Sequence, residues 1–318
     1  MEKLVITPTP HIHDNITIEK IMLLVLIALA PATIMGVVMF GLRALLVILV
    51  TVGSSVGFEW LYQKFTKQEI TIKDYSAAVT GLLLAFNLPP TVPLWLPVVG
   101  SFVAIVVAKQ LFGGLGQNFI NPALAGRAFL MAAYMPHMAG GFVEPLTGFF
   151  DFDVIAMATP LAPDGTWDFL SLLIGNHGGT IGETSAILLI LGGLFLVYKR
   201  IITWHIPATF IATVAVLTFF LEPGWTLETP AFHVLAGGLM LGAFFMATDY
   251  SSSPVSPLGK IIMGIGCGFI TVLIRLYGGY PEGVSYAILL MNCCVPLIDK
   301  FTKPKIFGAK PKEKKAKA

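Results

Sequence analysis

The run "IMLLVLIALAPATIMGVVMFGL", residues 21–42, contains no charged side chain and is long enough to cross a hydrocarbon core of about 30 Å as a helix. It is not an isolated stretch. Charge-free runs recur at residues 44–58, 94–108, 184–198, 201–221, 231–248, 261–274 and 283–298, with two shorter ones at 76–86 and 128–142 that Asn, Pro and Gly interrupt or bound. The chain as a whole has 318 residues, 56% hydrophobic and only 12% charged, with a mean hydropathy of +0.82. That much apolar surface cannot be hidden inside one water-soluble core, so the bilayer is its expected solvent. The expected fold is an all-α polytopic membrane protein of about ten transmembrane helices.

The basic residues orient such a chain. With the N-terminus in the cytoplasm and a change of side at each helix, all of the 20 Lys and Arg residues fall on the cytoplasmic side except Arg43 and Arg275, which sit at helix ends facing out. Positive charge resists translocation, and the lopsided count supports both the orientation and the number of helices. The expected segments are a cytoplasmic N-terminus at 1–20, a first five-helix unit at 21–135, an extracytoplasmic loop between helices 5 and 6 at 136–183, a second five-helix unit at 184–299 and a lysine-rich cytoplasmic tail at 300–318. Residues 21–42 read as a retained signal-anchor span, with no cleavable signal before them. The tail reads as a solvated segment drawn to anionic lipid, with no role in binding nucleic acid.

The second half echoes the first at a shift of roughly 160 residues, as repeat-built membrane folds do. "TGLLLAF" from Thr80 meets "GGLMLGAF" from Gly237, Pro93-Leu94 meets Pro257-Leu258, and Gly113-Gly114 meets Gly278-Gly279. Five helices per unit is an odd number, so the two units enter the membrane from opposite sides as an inverted repeat. Broken helices then meet near the midplane, and "AFNLPP" (85–90) and "FMATDYSSSP" (245–254) are the expected breaks.

The outer loop holds Glu144, Asp151, Asp153, Asp164, Asp168 and Glu183 and no Lys or Arg. Within it, "DVIAMATPL" places Thr159 six positions after Asp153. Nothing nearby activates the threonine as a nucleophile, which leaves an ordinary loop threonine or an acceptor hydroxyl for another enzyme. The three cysteines, Cys267, Cys293 and Cys294, lack metal-ligand spacing and read as buried small side chains. His11 and His13 read as solvated, and the remaining histidines form no spaced cluster. A nucleotide-binding glycine fingerprint and an iron-sulfur cysteine set are both missing from the sequence.

The loop segment resembles the flavinylation motif Asp-x-x-(Ser/Thr)-Gly-Ala-Thr. Asp153, Ala158 and Thr159 match it and Pro160-Leu161 continue it, whereas Ala156 and Met157 replace its Ser/Thr and Gly. "GGLGQNFINPALAGRAFL" (113–130), "IGETS" (181–185) and "FMATDYSSSP" resemble the membrane flavoprotein family that contains the Rnf D subunits and the B subunits of sodium-pumping NADH:quinone oxidoreductases. With only residues 1–20 before the first helix, the chain is nearer to the Rnf branch. The resemblance implies an electron-transfer subunit of a redox-driven, ion-translocating ferredoxin:NAD oxidoreductase in a bacterial inner membrane. It also implies FMN joined to Thr159 through a phosphoester, a flavin transferase for maturation, and other Rnf subunits as partners. A second, non-covalent flavin such as riboflavin is implied near Asn118, Asn121 and Arg127. From the residues alone, those asparagines read equally as caps of the turn before Pro122, and Arg127 as a headgroup anchor. Asp249 reads either as part of an ion path or as a boundary carboxylate. The alternatives are a B-type quinone-reductase subunit and a stand-alone channel or secondary transporter.

Overall fold

The computed structural model describes residues 16–140, 142, 159–161, 168–222, 228–278 and 283–303, and among these every regular element is helical. Asp153, Ala158, His11, His13, most of the segment between 141 and 167, and the tail beyond 303 lie outside the described residues.

The first helix, α1, runs Ile18–Phe65, and at 1.5 Å per residue its 48 residues would be more than twice the thickness of a bilayer core. Gly41 resolves this, because its φ of 68° and ψ of −157° break the helical path and divide α1 where the sequence places the boundary between its first two spans. Side chains with a Cβ are strained in that backbone region. Arg43, just past the break, donates to the carbonyl of Thr91 at 2.8 Å.

The remaining elements of the first half are α2 (Ser76–Phe86), α3 (Trp95–Phe112, with a wide π turn at Val103–Val107), α4 (Pro122–Ala133) and the short α5 (Met135–Ala139). The short α6 (Phe169–Ile174) precedes the second half, which comprises α7 (Ala186–Tyr198), α8 (His205–Leu221), α9 (Glu228–Leu235), α10 (Leu239–Met246), α11 (Pro257–Tyr277) and α12 (Val284–Phe301). Four of these helices, α1, α3, α11 and α12, are long and apolar enough to cross a membrane, and α9 with α10 makes a fifth if the pair, bent by 65°, is one span. The helices α2, α4, α7 and α8 are apolar but shorter.

Helix starts follow local chemistry. Asn121, Ser185 and Ser256 accept from the backbone N–H three residues on, and Pro122 and Pro257 occupy first-turn positions that need no donor. This moves the fifth apolar segment: it begins at Pro122 rather than near residue 128 and stops at Ala133, with Tyr134 separating it from α5. At the α9–α10 bend, Arg275 donates to the carbonyls of His233 and Ala236, satisfying backbone groups that the bend sets free. The arginines expected to face out at helix ends thus both bond to loop or break carbonyls. The cysteines divide: Cys267 is buried as expected, whereas Cys293 and Cys294 are exposed on α12. Consecutive helical positions sweep about 100° each, so two adjacent residues need not both reach the core, and Asn292 takes the inward position here.

Candidate functional site

Two adjoining cavities open where α1, α2, α4 and α10 converge. One of about 90 Å³ lies between the start of α1, the α2 face carrying Thr80 and Leu83, and Asn118 and Asn121. A larger one, about 450 Å³, is lined by Gln63, Asp74, Gln110 and the glycine-rich turn Gly113–Gly116. They share Ile21, Met22, Leu115, Asp249 and Tyr250. Volume and mixed apolar and polar lining suit a planar aromatic ligand with a polar edge.

Asp249 faces both cavities and is only partly buried. Its Oδ2 accepts from Asn118 Nδ2 (3.3 Å), Ser251 Oγ (3.1 Å) and Ser252 Oγ (2.9 Å), and Ser251 Oγ lies 2.8 Å from Asn118 Oδ1. The carboxylate is therefore held in place by neutral donors at the edge of both cavities. Asn121 does two jobs: its Oδ1 caps α4 at Leu124 N (3.2 Å) and its Nδ2 donates to the carbonyl of Met246 (3.1 Å), joining the first half of the chain to the second. Asn292, with its amide oriented to suit its neighbours, donates to Ser252 O and accepts from Asn121 N, each at 3.0 Å.

The structure brings Asn118, Asn121 and Asp249 together and separates Arg127 from them. Arg127 is 6% exposed, which rules out a headgroup anchor, and its Nη1 donates to Asn87 Oδ1 (2.7 Å) and Ser285 Oγ (2.8 Å).

A second polar group went unread in the sequence. Along the end of α1, Thr51, Ser55, Glu59 and Gln63 are all buried at four-residue spacing, one above another on a single helix face. Glu59 Oε1 accepts from Lys109 Nζ (2.8 Å) and Gln110 Nε2 (2.6 Å), and Lys109 Nζ also donates to Ser76 Oγ (2.6 Å), whose own proton goes to Asp74 Oδ1 (2.7 Å). Lys109, counted among the cytoplasmic-side charges, forms a buried ion pair with Glu59 and lines the smaller cavity. The four-residue rhythm of polar side chains in an apolar helix was the available signal.

Thr159 stands apart from the cavities. It is 3% exposed, and among the described residues its Oγ1 has no hydrogen-bond partner. A buried hydroxyl left unpaired costs about 1–3 kcal/mol, so such an oxygen fits a position where a further group takes over its bonding. Nearer α7, His177 is buried with Nδ1 3.2 Å from the carbonyl of Gly178 and, among the described residues, no partner for Nε2, and burial pushes its pKa below 6.5. Among the described residues no group of three or more His, Cys, Asp or Glu could hold a metal ion.

Residues 5–308 match the model of the NQR2, RnfD, RnfE family. The chain is 50% identical to the D subunit of the Na+-translocating ferredoxin:NAD+ oxidoreductase complex of Acetobacterium woodii, over 99% of this chain and 98% of the relative. It is 44% identical to the D subunit of the proton-translocating ferredoxin:NAD+ oxidoreductase complex of Clostridium ljungdahlii, over 96% of each. It is 35% identical to the D subunit of an ion-translocating oxidoreductase complex of Escherichia coli, over 95% of this chain and 98% of the relative.

Proposed function

The chain belongs to the NQR2, RnfD, RnfE family, and from that premise we propose that it is the D subunit of an ion-translocating ferredoxin:NAD+ oxidoreductase complex, carrying electrons within the membrane. The observation that carries this reading is the near full-length identity to two relatives named for that reaction. The same relatives weigh against a B-type quinone-reductase subunit and against a solitary transporter. A sodium-translocating and a proton-translocating relative are similar to this chain to nearly the same degree, so the transported ion is not a property that overall similarity selects.

This reading takes the chain as ten membrane segments arranged as an inverted repeat. The break at Gly41, which makes two segments of α1, and the α9–α10 bend, which makes one segment of two helices, support the count. The distribution of Lys and Arg supports cytoplasmic termini and an outer Thr159 loop. FMN is joined to Thr159, whose unpaired hydroxyl is the supporting observation. Bound there, the flavin supplies the electron-carrying chemistry, while the chain fixes where it sits and what surrounds it. Because the hydroxyl is buried, a flavin transferase has to reach it before the segment closes, which makes attachment a step of maturation. Asn118, Asn121 and the fixed carboxylate of Asp249 hold a second, non-covalent flavin such as riboflavin in the cavity. A site that already presents a carboxylate suits a neutral flavin better than a phosphorylated one. Arg127 has no direct part in it.

In-gel flavin fluorescence after denaturing electrophoresis tests the covalent site. Co-expressed with a flavin transferase, the parent chain is expected to fluoresce and Thr159→Val to be dark. A dark parent band, with the transferase shown to label a control substrate, would overturn covalent attachment and leave the family assignment untouched.

A further inference from the structure

The smaller cavity reaches Leu83 on α2 and Ala123 on α4. Four residues further along the same helix faces stand Asn87 and Arg127, hydrogen-bonded to each other at 2.7 Å. Arg127 also donates to Ser285 Oγ on α12 (2.8 Å), while Asn87 Nδ2 donates back to the carbonyl of Leu83 (2.6 Å) and lies 3.8 Å from Met246 Sδ on α10. One knot of side chains therefore ties four helices from both halves of the chain one turn beneath the cavity floor. Past it the chain is packed: Phe86 and Leu88 are fully buried, and the carbonyl of Leu88 accepts the N–H of Ile181 from the segment before α7 (3.1 Å).

We propose that the Asn87–Arg127–Ser285 knot is the permeability seal of this protein. It closes the inner end of the cavity, makes it a blind binding chamber and keeps sodium ions and protons from leaking along the helices that meet there. A hydrated cation entering from the cavity meets a fixed guanidinium, an arrangement by which pores repel positive charge. Water that might carry it further would have to displace hydrogen bonds already made on both sides of the arginine. The last turn of α2 presents its carbonyl ends at the same place, a partial negative charge that would otherwise attract a cation and that the guanidinium offsets. A complex that stores redox energy as an ion gradient loses it through any such leak, so the seal serves coupling. The proposal rests on the chain's crossing the membrane and not on any bound flavin.

The test uses the whole complex in liposomes, without redox substrates, under a potassium diffusion potential, and follows radioactive sodium uptake and internal pH together. The parent complex is expected to be tight. Arg127→Ala is expected to raise sodium or proton flux more than tenfold, and Ser285→Ala, which removes one oxygen and little volume, roughly threefold. Assembled variants as tight as the parent would overturn the seal. Should Arg127→Ala fail to assemble, Ser285→Ala decides alone, and its tightness refutes the proposal. Because no flavin takes part in passive flux, a failure of the flavin sites leaves this result readable.

Discussion

Lys109 and Glu59 are worth more together than either is alone. With one partner removed, the other is an uncompensated charge in a low-dielectric interior, at a cost of about 3–5 kcal/mol. Lys109→Met is therefore expected to lower the midpoint of thermal unfolding in detergent sharply. The double variant Lys109→Met with Glu59→Met should recover most of the loss, because it removes both desolvation penalties. Calorimetry of the three proteins would show a non-additive pair. His177 answers to pH in the opposite sense from a paired histidine. Burial lowers its folded pKa, so the unfolded chain binds its proton first, and stability falls as pH drops below about 6.5 towards the folded value. Melting curves between pH 7.5 and 5 should show this slope, and His177→Asn should flatten part of it. Thr159 is singled out as a proposed attachment point only through its neighbours in sequence. That its hydroxyl is buried and unpaired depends on tertiary packing, which no local pattern encodes.

At the scale of elements, breaks matter as much as helices. The apolar runs were readable because burial in lipid demands them, and α2 ends where its run ends, at Phe86. The fifth segment is displaced from its expected place because capping, not apolar content, sets where a helix begins. Asn121-Pro122 is a helix start by its chemistry, and the arginine that interrupts the apolar pattern belongs inside the helix, paid for by Asn87 and Ser285. Gly175 marks another junction. It has φ 98° after α6, and a Cβ there would sit on the carbonyl oxygen of Thr184. Gly175→Ala is expected to prevent the segment before α7 from closing on α6, visible as rapid proteolysis between α6 and α7 and loss of the monodisperse peak in size-exclusion chromatography.

The molecule as a whole was legible in its class, its apolar segmentation and its family, since these rest on composition and on blocks of residues spread over nearly the full chain. What stayed hidden was the pairing between distant positions: Glu59 with Lys109, Asn118 with Asp249, and Arg127 with Ser285. Each partner lies on a different helix or turn, and hydropathy carries no information about which of these stands beside which. Orientation is testable at this scale. Reporter fusions after Lys303 are expected to be active only as cytoplasmic reporters, and one inserted between α5 and α6 only as an extracytoplasmic one. The reverse pattern would invert the whole assignment.

The ion pair has a further consequence for how the chain is made. Lys109 is synthesised 50 residues after Glu59, a delay of roughly 3–10 s at bacterial translation rates. For that interval Glu59 lacks the Lys109 ammonium it pairs with in the folded chain, and a carboxylate left unpaired on a face that becomes buried is costly. The ribosome therefore delivers this helix face before the partner that completes it. Residues 42–65 are expected to wait beside the insertion machinery until α3 emerges, so that the first half enters the bilayer as a group and a transcript truncated before Lys109 yields a nascent chain marked for degradation.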